Sequence, residues 1–367
     1  MIRIVAVGDI MPGGVLALQS EYIQAGLRAF LDSFDIRVGT LECAIGSGYS
    51  FDKVKMEGRK NIIYAREEDF YRVKEIGFDV VSLANNHLMD LGKEGLHNTI
   101  RVLKENEVLF CGAGDNMQEA SMPAVVCKEG KTIAFLAYCM TDSSMMGYVE
   151  CASKDSAGVN CLDLNRVLSD IENNKKKYDY VIVLPHWGKE YEYWPADVCR
   201  KMAKRMIKAG ADAVLGSHTH QAQPMVRFRR RPICYSMGNF LFPDFYMYPP
   251  RPIWYPDKNE DLSIVKDVVG YPFPILEPIR QVWNGKARIG ETIVLEIDAG
   301  NIEAQNRFVK LDNDNVLDLV HDSKEYRRIS HRLRKIGFLM NIPGVYPTRN
   351  LVRKVNKIIK RLLYYRH

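Results

Sequence analysis

Side chains that bind metal ions recur in this sequence at the ends of short apolar runs. The runs have the length and β-branched content of buried strands: Ile4–Val7, Ile36–Leu41, Val80–Leu83, Val181–Leu184 and Ala213–Leu215. The side chains that follow them are Asp9, Glu42, Asn86 with His87, His186, and His218 with His220. In an open α/β sheet, the loops beyond the carboxyl ends of the strands converge on one crevice. The pattern therefore favours an α/β fold and predicts a metal site at the strand ends.

Segments with helical patterns alternate with these strands. The sequence predicts helices at Leu16–Leu31, Glu67–Ile76, Gly95–Leu103, Asp163–Ile171 and Ala196–Ala209. Further strands are predicted at Val108–Cys111, Ile133–Tyr138, Glu291–Ile297 and Ile302–Leu311. This alternation predicts a sheet with helices on its faces.

Two segments depart from this pattern. Residues 243–285 hold eight prolines and many aromatic residues with little periodicity, which predicts an irregular insert. We expect it to form a wall or lid of the substrate crevice, or else a packing flap without substrate contact. The pattern of charged and apolar residues over 323–367 predicts two basic amphipathic helices, which the segment from Pro343 to Pro347 separates. The expected organisation is one domain over residues 1–322, which includes the insert, and a helical tail over 323–367.

The positive charge of the chain belongs to this tail. The net charge is +6, yet residues 323–367 hold 13 Lys and Arg and one acid, whereas the rest holds 38 basic and 44 acidic residues. The body therefore gives no reason to expect nucleic acid as a partner. The apolar stripe from Leu351 to Leu363 is flanked by Lys and Arg. It predicts either peripheral association with anionic lipid or docking on the acidic body.

The location expected from the sequence is the cytoplasm, with a peripheral position at the inner face of the membrane as the alternative. Residues 1–9 lead straight into a strand pattern without a signal-peptide pattern, and no apolar stretch reaches the ~20 residues of a membrane-spanning helix. The eight cysteines are scattered and form no Cys-x-x-Cys pair. We expect them to be reduced thiols.

Two short motifs contain the side chains best suited to metal binding and proton transfer. Gly216-Ser217-His218-Thr219-His220 places two imidazoles in a loop after a strand, from which they can reach two neighbouring metal ions. In Asn86-His87, the amide oxygen is a hard neutral ligand, and the histidine is well placed as a proton donor. Asp90 would either fix the tautomer of His87 or cap the following helix. Asp9 and Glu42 supply the anions that two divalent ions require, with Glu42 as the candidate bridge.

These motifs, taken in order, resemble those of the CapA family of capsule and poly-γ-glutamate biosynthesis proteins, which is related to the calcineurin-like metallophosphoesterases. The resemblance covers about residues 2–242. Its motifs are Gly8-Asp9-Ile10-Met11, Leu41-Glu42, Ser82–His87 with Asp90 and Gly92, His186-Trp187-Gly188 with Glu190-Tyr191, Gly216–His220 with Gln223-Pro224, and Tyr235–Phe240.

The resemblance implies a four-layered α/β/β/α sandwich with a centre of two divalent metal ions, which would be Mn, Fe or Zn. Asp9 and His220 would bind one metal. Asn86, His186 and His218 would bind the other metal. Glu42 would bridge the two, and His87 would be the general acid. The wider superfamily has His where this chain has Met11, and a thioether is a poor ligand for a hard ion.

The function that the resemblance implies is a metal-dependent hydrolase of phosphoesterase type that uses a metal-activated water. It would act in the biosynthesis of a capsule, poly-γ-glutamate or surface polysaccharide, with an anionic polymer or a phosphoester as substrate. Two alternatives stay open. One is a non-catalytic, metal-binding component of a polymer synthesis complex, and the other is a γ-glutamyl amide hydrolase.

Overall fold

The computed structural model describes residues 1–46, 61–141, 149–249, 252–257, 259–269, 275–298, 300–342 and 345. The strands are β1 (Ile2–Ile10), β2 (Ile36–Leu41), β3 (Ala44–Ile45), β4 (Tyr64–Ala65), β5 (Val80–Ser82), β6 (Leu109–Cys111), β7 (Ala113–Gly114), β8 (Ala124–Lys128), β9 (Lys131–Cys139), β10 (Gly158–Val159), β11 (Tyr180–His186), β12 (Ala213–Leu215), β13 (Met225–Phe228), β14 (Arg231–Cys234), β15 (Phe245–Met247), β16 (Ile253–Trp254), β17 (Lys266–Val269), β18 (Ile279–Val282), β19 (Ile289–Asp298), β20 (Asn301–Leu311) and β21 (Leu317–Leu319). The helices are α1 (Ala25–Asp32), α2 (Tyr71–Ile76), α3 (Gly92–Glu105), α4 (Met117–Ala120), α5 (Leu164–Lys175), α6 (Asp197–Ala209) and α7 (Ser323–Leu339).

The first large sheet has the strand order β21-β20-β19-β1-β2-β5-β6. Strands β1, β2, β5 and β6 are parallel, so their carboxyl ends lie at one edge. Strand β19 pairs antiparallel both with β1 and with β20. The β1–β2 register shifts between Ala6 and Asp9. Such an irregularity redirects a side chain near a site, and here it falls at the first predicted metal ligand.

The second large sheet has the order β13-β14-β12-β11-β9-β8 and faces the first. Successive residues of a β-strand point to opposite faces of its sheet, and the residues of β9 do so here. Phe135 and Ala137 join the core that the first sheet also fills, whereas Leu136 and Tyr138 join a separate core with residues of α5 and α6. Helices α1, α2 and α3 contribute buried residues to the core of the first sheet. The predicted α/β/β/α arrangement is therefore confirmed.

The helix predicted over Leu16–Leu31 is wrong in its first half. A short 3-10 turn covers Gly14–Leu18, and α1 begins only at Ala25. Between them, Ile23 forms a parallel bridge with Leu317, and the Gln24 backbone N–H donates to the Leu317 carbonyl at 2.9 Å. This long-range backbone pairing holds the segment extended and overrides its helical pattern.

The insert is more regular than predicted. Strands β16, β15, β18 and β17 form a small four-stranded sheet in that order, within the residues of the insert that the structure describes. Asp244, at the start of the insert, is fully buried. It accepts hydrogen bonds from the Arg288 guanidinium at 2.7 Å and from the Trp283 backbone N–H at 3.0 Å. Both ends of the insert are thereby fixed to the body.

The predicted tail lies partly within the described residues. The first predicted tail helix corresponds to α7, which Asp322 caps. The second, with the stripe from Leu351 to Leu363, lies outside the described residues.

Cys151 and Cys161 form a disulfide, so the expectation of reduced thiols throughout is wrong for this pair. Among the described residues, no helix is long and apolar enough to span a membrane. Neither the domain boundaries nor the location is tested, and both stay predictions.

Candidate metal centre

The predicted ligands come together where the carboxyl ends of the two large sheets meet. Asp9 lies in β1, Glu42 follows β2, and Asn86 and His87 follow β5. In the second sheet, His186 ends β11, and His218 and His220 follow β12. The two edges are joined by a 3.2 Å hydrogen bond between the Thr40 and Ser217 hydroxyls and by a backbone bridge between Asp9 and Asn239. All of the predicted ligands are buried.

One group of donor atoms gathers around the imidazole of His186. The ligand atoms of Glu42, His186 and His218 all lie within 4.8 Å of one another. His186 Nε2 is 2.7 Å from Asn86 Oδ1, 3.0 Å from His218 Nδ1 and 3.3 Å from Glu42 Oε1. Two imidazole nitrogens, an amide oxygen and a carboxylate thus face one small space, and this donor set suits divalent transition metals.

A second group shares one residue with the first. The ligand atoms of Asp9, Glu42 and His220 also lie within 4.8 Å of one another. His220 Nδ1 is 3.7 Å from Asp9 Oδ2 and 3.8 Å from Glu42 Oε2. Because Glu42 belongs to both groups and offers one oxygen to each, its position fits the predicted bridge. The number and identity of the metals stay predictions.

Burial keeps these imidazoles neutral and able to bind a cation. Burial and the neighbouring histidines hold the pKa of His186 and that of His218 well below the usual range, and burial lowers the pKa of His220 to about 4. Burial also raises the pKa of Asp9 to about 7. His218 Nε2 is buried without a hydrogen-bond partner among the described residues. A divalent cation would stabilise the buried anions and bind the neutral imidazoles, so the residues fit a metal.

The loop that carries His218 and His220 is held in a strained conformation. The backbone φ angles are +92° at His218 and +52° at His220, a region that side chains other than glycine rarely adopt. A Cβ atom at Gly216 would lie 2.2 Å from the Tyr235 carbonyl oxygen and 2.6 Å from Trp187 Nε1. Only glycine therefore allows the loop to pack this closely, and the packing holds both imidazoles in their strained positions.

Three supporting residues escaped the sequence analysis. The Ser217 hydroxyl lies 2.9 Å from His186 Nδ1, which turns Nε2 toward the metal-binding groups. Asn85 donates to the Leu41 carbonyl at 2.7 Å and accepts from the His87 backbone N–H at 2.9 Å, and thus joins two strand ends. Trp283 packs on His220 with a ring separation of 4.9 Å. Ser217 and Asn85 adjoin predicted ligands, which was the available signal.

His87 and Asp90 form a pair beside the centre. His87 Nδ1 lies 2.7 Å from Asp90 Oδ2, which also accepts from the Ile63 backbone N–H at 2.7 Å. The residue at the N-cap of α3 is Leu91, with no side-chain cap, so Asp90 holds the ring of His87 rather than capping the helix. His87 directly follows the proposed ligand Asn86 in the chain and is buried beside it.

Comparisons with known proteins find a bacterial family and several relatives that this chain resembles. The profile of the family described as "Bacterial capsule synthesis protein PGA_cap" matches residues 3–244. The chain is 32% identical over 246 residues to "Capsule biosynthesis protein CapA" of Bacillus anthracis, an alignment that covers 64% of this chain and 58% of the relative. It is also 32% identical to "PGA biosynthesis protein CapA" of Bacillus subtilis over 64% of this chain and 62% of the relative. The chain thus spans about three fifths of the length of these relatives.

A third relative comes from another genus. The chain is 29% identical over 169 residues to "Probable polyglutamine synthesis accessory protein Rv0574c" of Mycobacterium tuberculosis, with 44% of each chain covered. The family match covers all the predicted ligands and also His87 and Asp90. It ends at Asp244 and leaves the rest of the insert and the tail outside.

Proposed function

This chain belongs to the bacterial capsule synthesis protein family, within the metallophosphoesterase-like superfamily, and from that premise we propose that it is a metal-dependent hydrolase of phosphoesterase type. It would act in the biosynthesis of a capsule, poly-γ-glutamate or surface polysaccharide. The observation that carries the proposal is the position of Glu42, which offers one carboxylate oxygen to each of two buried donor groups.

The ligand residues and His87 would have different tasks. Two divalent cations held by these residues would supply an activated water and would neutralise negative charge on the group under attack. Asp9 and Glu42 offset the repulsion between the cations, while the strained loop after β12 holds both of its imidazoles in place. His87, held by Asp90, would donate a proton to the leaving oxygen of a phosphoester or to the leaving nitrogen of an amide.

The substrate class is open between two chemistries that share the same site. The names of the relatives refer to capsule and polyglutamate, so a γ-glutamyl amide is the second candidate substrate. An aryl phosphodiester and a γ-glutamyl anilide, each assayed with added Mn²⁺, separate the two chemistries. Turnover of neither substrate, by a protein that holds its metal, would favour the non-catalytic alternative.

The ligand assignment can be tested by the metal content of single variants. His186→Ala and His218→Ala should each lose the metal at one site, because each change removes one of four proposed protein ligands there. Metal per chain would be measured by elemental analysis after equilibration with Mn²⁺ and dialysis. His321→Ala is the matched control, since His321 is an exposed histidine that pairs with Asp318 at 3.1 Å and is not a proposed ligand. Unchanged stoichiometry in both ligand variants would refute the assignment.

The insert can be tested by a deletion that removes the residues between β15 and β18 but keeps the contact of Asp244 with Trp283. Strands β15 and β18 pair as far as Met247 and Ile279, so a Gly-Ser turn in place of residues 248–278 should leave Asp244 and Trp283 in position. If the insert is a substrate wall, the ratio of kcat/KM between a small and a polymeric substrate should change by about tenfold or more. Metal content should stay as in the parent. An unchanged ratio would identify the insert as a packing flap.

A further inference from the structure

The donor group around His220 lacks a ligand that the superfamily pattern expects. Asp9, Glu42 and His220 supply three protein ligand groups, whereas a divalent transition metal takes four or more. Met11 stands where the pattern has a histidine. Its side chain is fully buried in the hydrophobic core, with its methyl group beside Gly14. Met11 therefore does not complete the group.

Asn239 places its side-chain oxygen beside the donor group around His220, which has only three protein ligands among the described residues. Asn239 Oδ1 lies 2.8 Å from His220 Nδ1, the same nitrogen that faces Asp9 Oδ2 and Glu42 Oε2. The Asn239 amide nitrogen donates to the Ala287 carbonyl at 3.1 Å. Because a carbonyl can only accept, this bond fixes the amide so that its oxygen, and not its nitrogen, faces the donor group.

The backbone holds Asn239 firmly beside Asp9. The Asp9 N–H donates to the Gly238 carbonyl at 2.9 Å, and the Phe240 N–H donates to the Asp9 carbonyl at 2.9 Å. A Cβ atom at Gly290 would lie only 1.9 Å from the Asn239 carbonyl oxygen. The turn that carries Asn239 is therefore packed against bare backbone. A fixed backbone and a fixed amide make a preorganised ligand.

From this geometry we infer that Asn239 is a metal ligand, which joins Asp9, Glu42 and His220 and supplies the donor that Met11 does not. The inference rests on the proposed function, since it needs a metal at this group. An amide oxygen is a hard neutral donor of the same kind as Asn86. The two donor groups would then each hold one asparagine, one shared glutamate and at least one histidine.

Metal binding by Asn239 variants tests this inference. Asn239→Ala should weaken binding at one of two sites by at least the ~10–100-fold that loss of an outer partner costs. In the Co²⁺-loaded protein it should also alter the visible d–d absorption, because the number of ligands falls. Asn239→Asp, which keeps an oxygen and adds a charge, should bind more tightly and also alter the absorption. Calorimetric titration with Mn²⁺ and absorption spectra of the Co²⁺ protein would measure both effects.

Ser217→Ala is the matched control, because Ser217 orients His186 without being a ligand. It should weaken binding but leave the shape of the Co²⁺ absorption unchanged. If Asn239→Ala behaved like Ser217→Ala, or if Asn239→Asp left the absorption as in the parent, Asn239 would only orient His220 and the inference would be wrong. A parent that binds no metal would instead refute the proposed function itself.

Discussion

Replacement of His87 by Gln should leave the metal content unchanged and lower turnover by about 10²–10⁴-fold, which is the usual contribution of general acid–base catalysis. The hydrogen bond of 2.7 Å to Asp90 holds Nδ1, so Nε2 is the ring nitrogen that would transfer a proton. Glutamine is polar and of similar size but cannot donate a proton at neutral pH. The measurements are metal per chain and kcat on the substrate that the parent hydrolyses.

Asp90→Asn is the companion variant, because it keeps the shape of the pair but removes the carboxylate that fixes the tautomer of His87. We expect a smaller loss of kcat than in His87→Gln and a shifted pH–rate profile. Loss of metal in His87→Gln would show that His87 is a ligand. Parental turnover with the metal retained would remove the general acid from the proposed mechanism.

The position of the two donor groups could be predicted because it depends on local patterns. A strand such as β2 was predicted with its observed bounds, Ile36–Leu41, since an apolar run is read from adjacent residues. A predicted ligand such as Glu42 is the residue that comes directly after the last residue of its strand. The parallel order of strands then places all these ends at one edge. No knowledge of distant contacts was needed for this step.

The positions of Asn239 and Trp283 depend on how distant segments meet, and a single sequence does not show this. Asn239 reaches His220 only because its turn packs against Asp9, 230 positions earlier. Trp283 packs on His220 only because the insert folds back through Asp244. The small sheet of the insert has strands of two to four residues, which is too short for a period of two to stand out among prolines.

Asp244 is a residue whose contribution to stability depends on contacts between distant segments. Its carboxylate is fully buried and accepts from Arg288, Arg280, Asn315 and the Trp283 backbone N–H. Arg288 is itself only 8% exposed. Loss of one partner of a buried ion pair leaves the other charge buried and without compensation. Asp244 therefore joins the insert, the body and, through Trp283, the donor group around His220.

Asp244→Ala should lower the free energy of unfolding by about 3–5 kcal/mol, the usual cost of a buried charge that loses its partner. The midpoint and slope of urea denaturation would measure the change. Glu303→Ala is the matched control, because it breaks the 2.6 Å pair between Arg227 and Glu303 at the surface and should cost about 0–1 kcal/mol. Equal losses in the two variants would show that Asp244 does not anchor the insert, and Trp283 would then need another explanation for its place on His220.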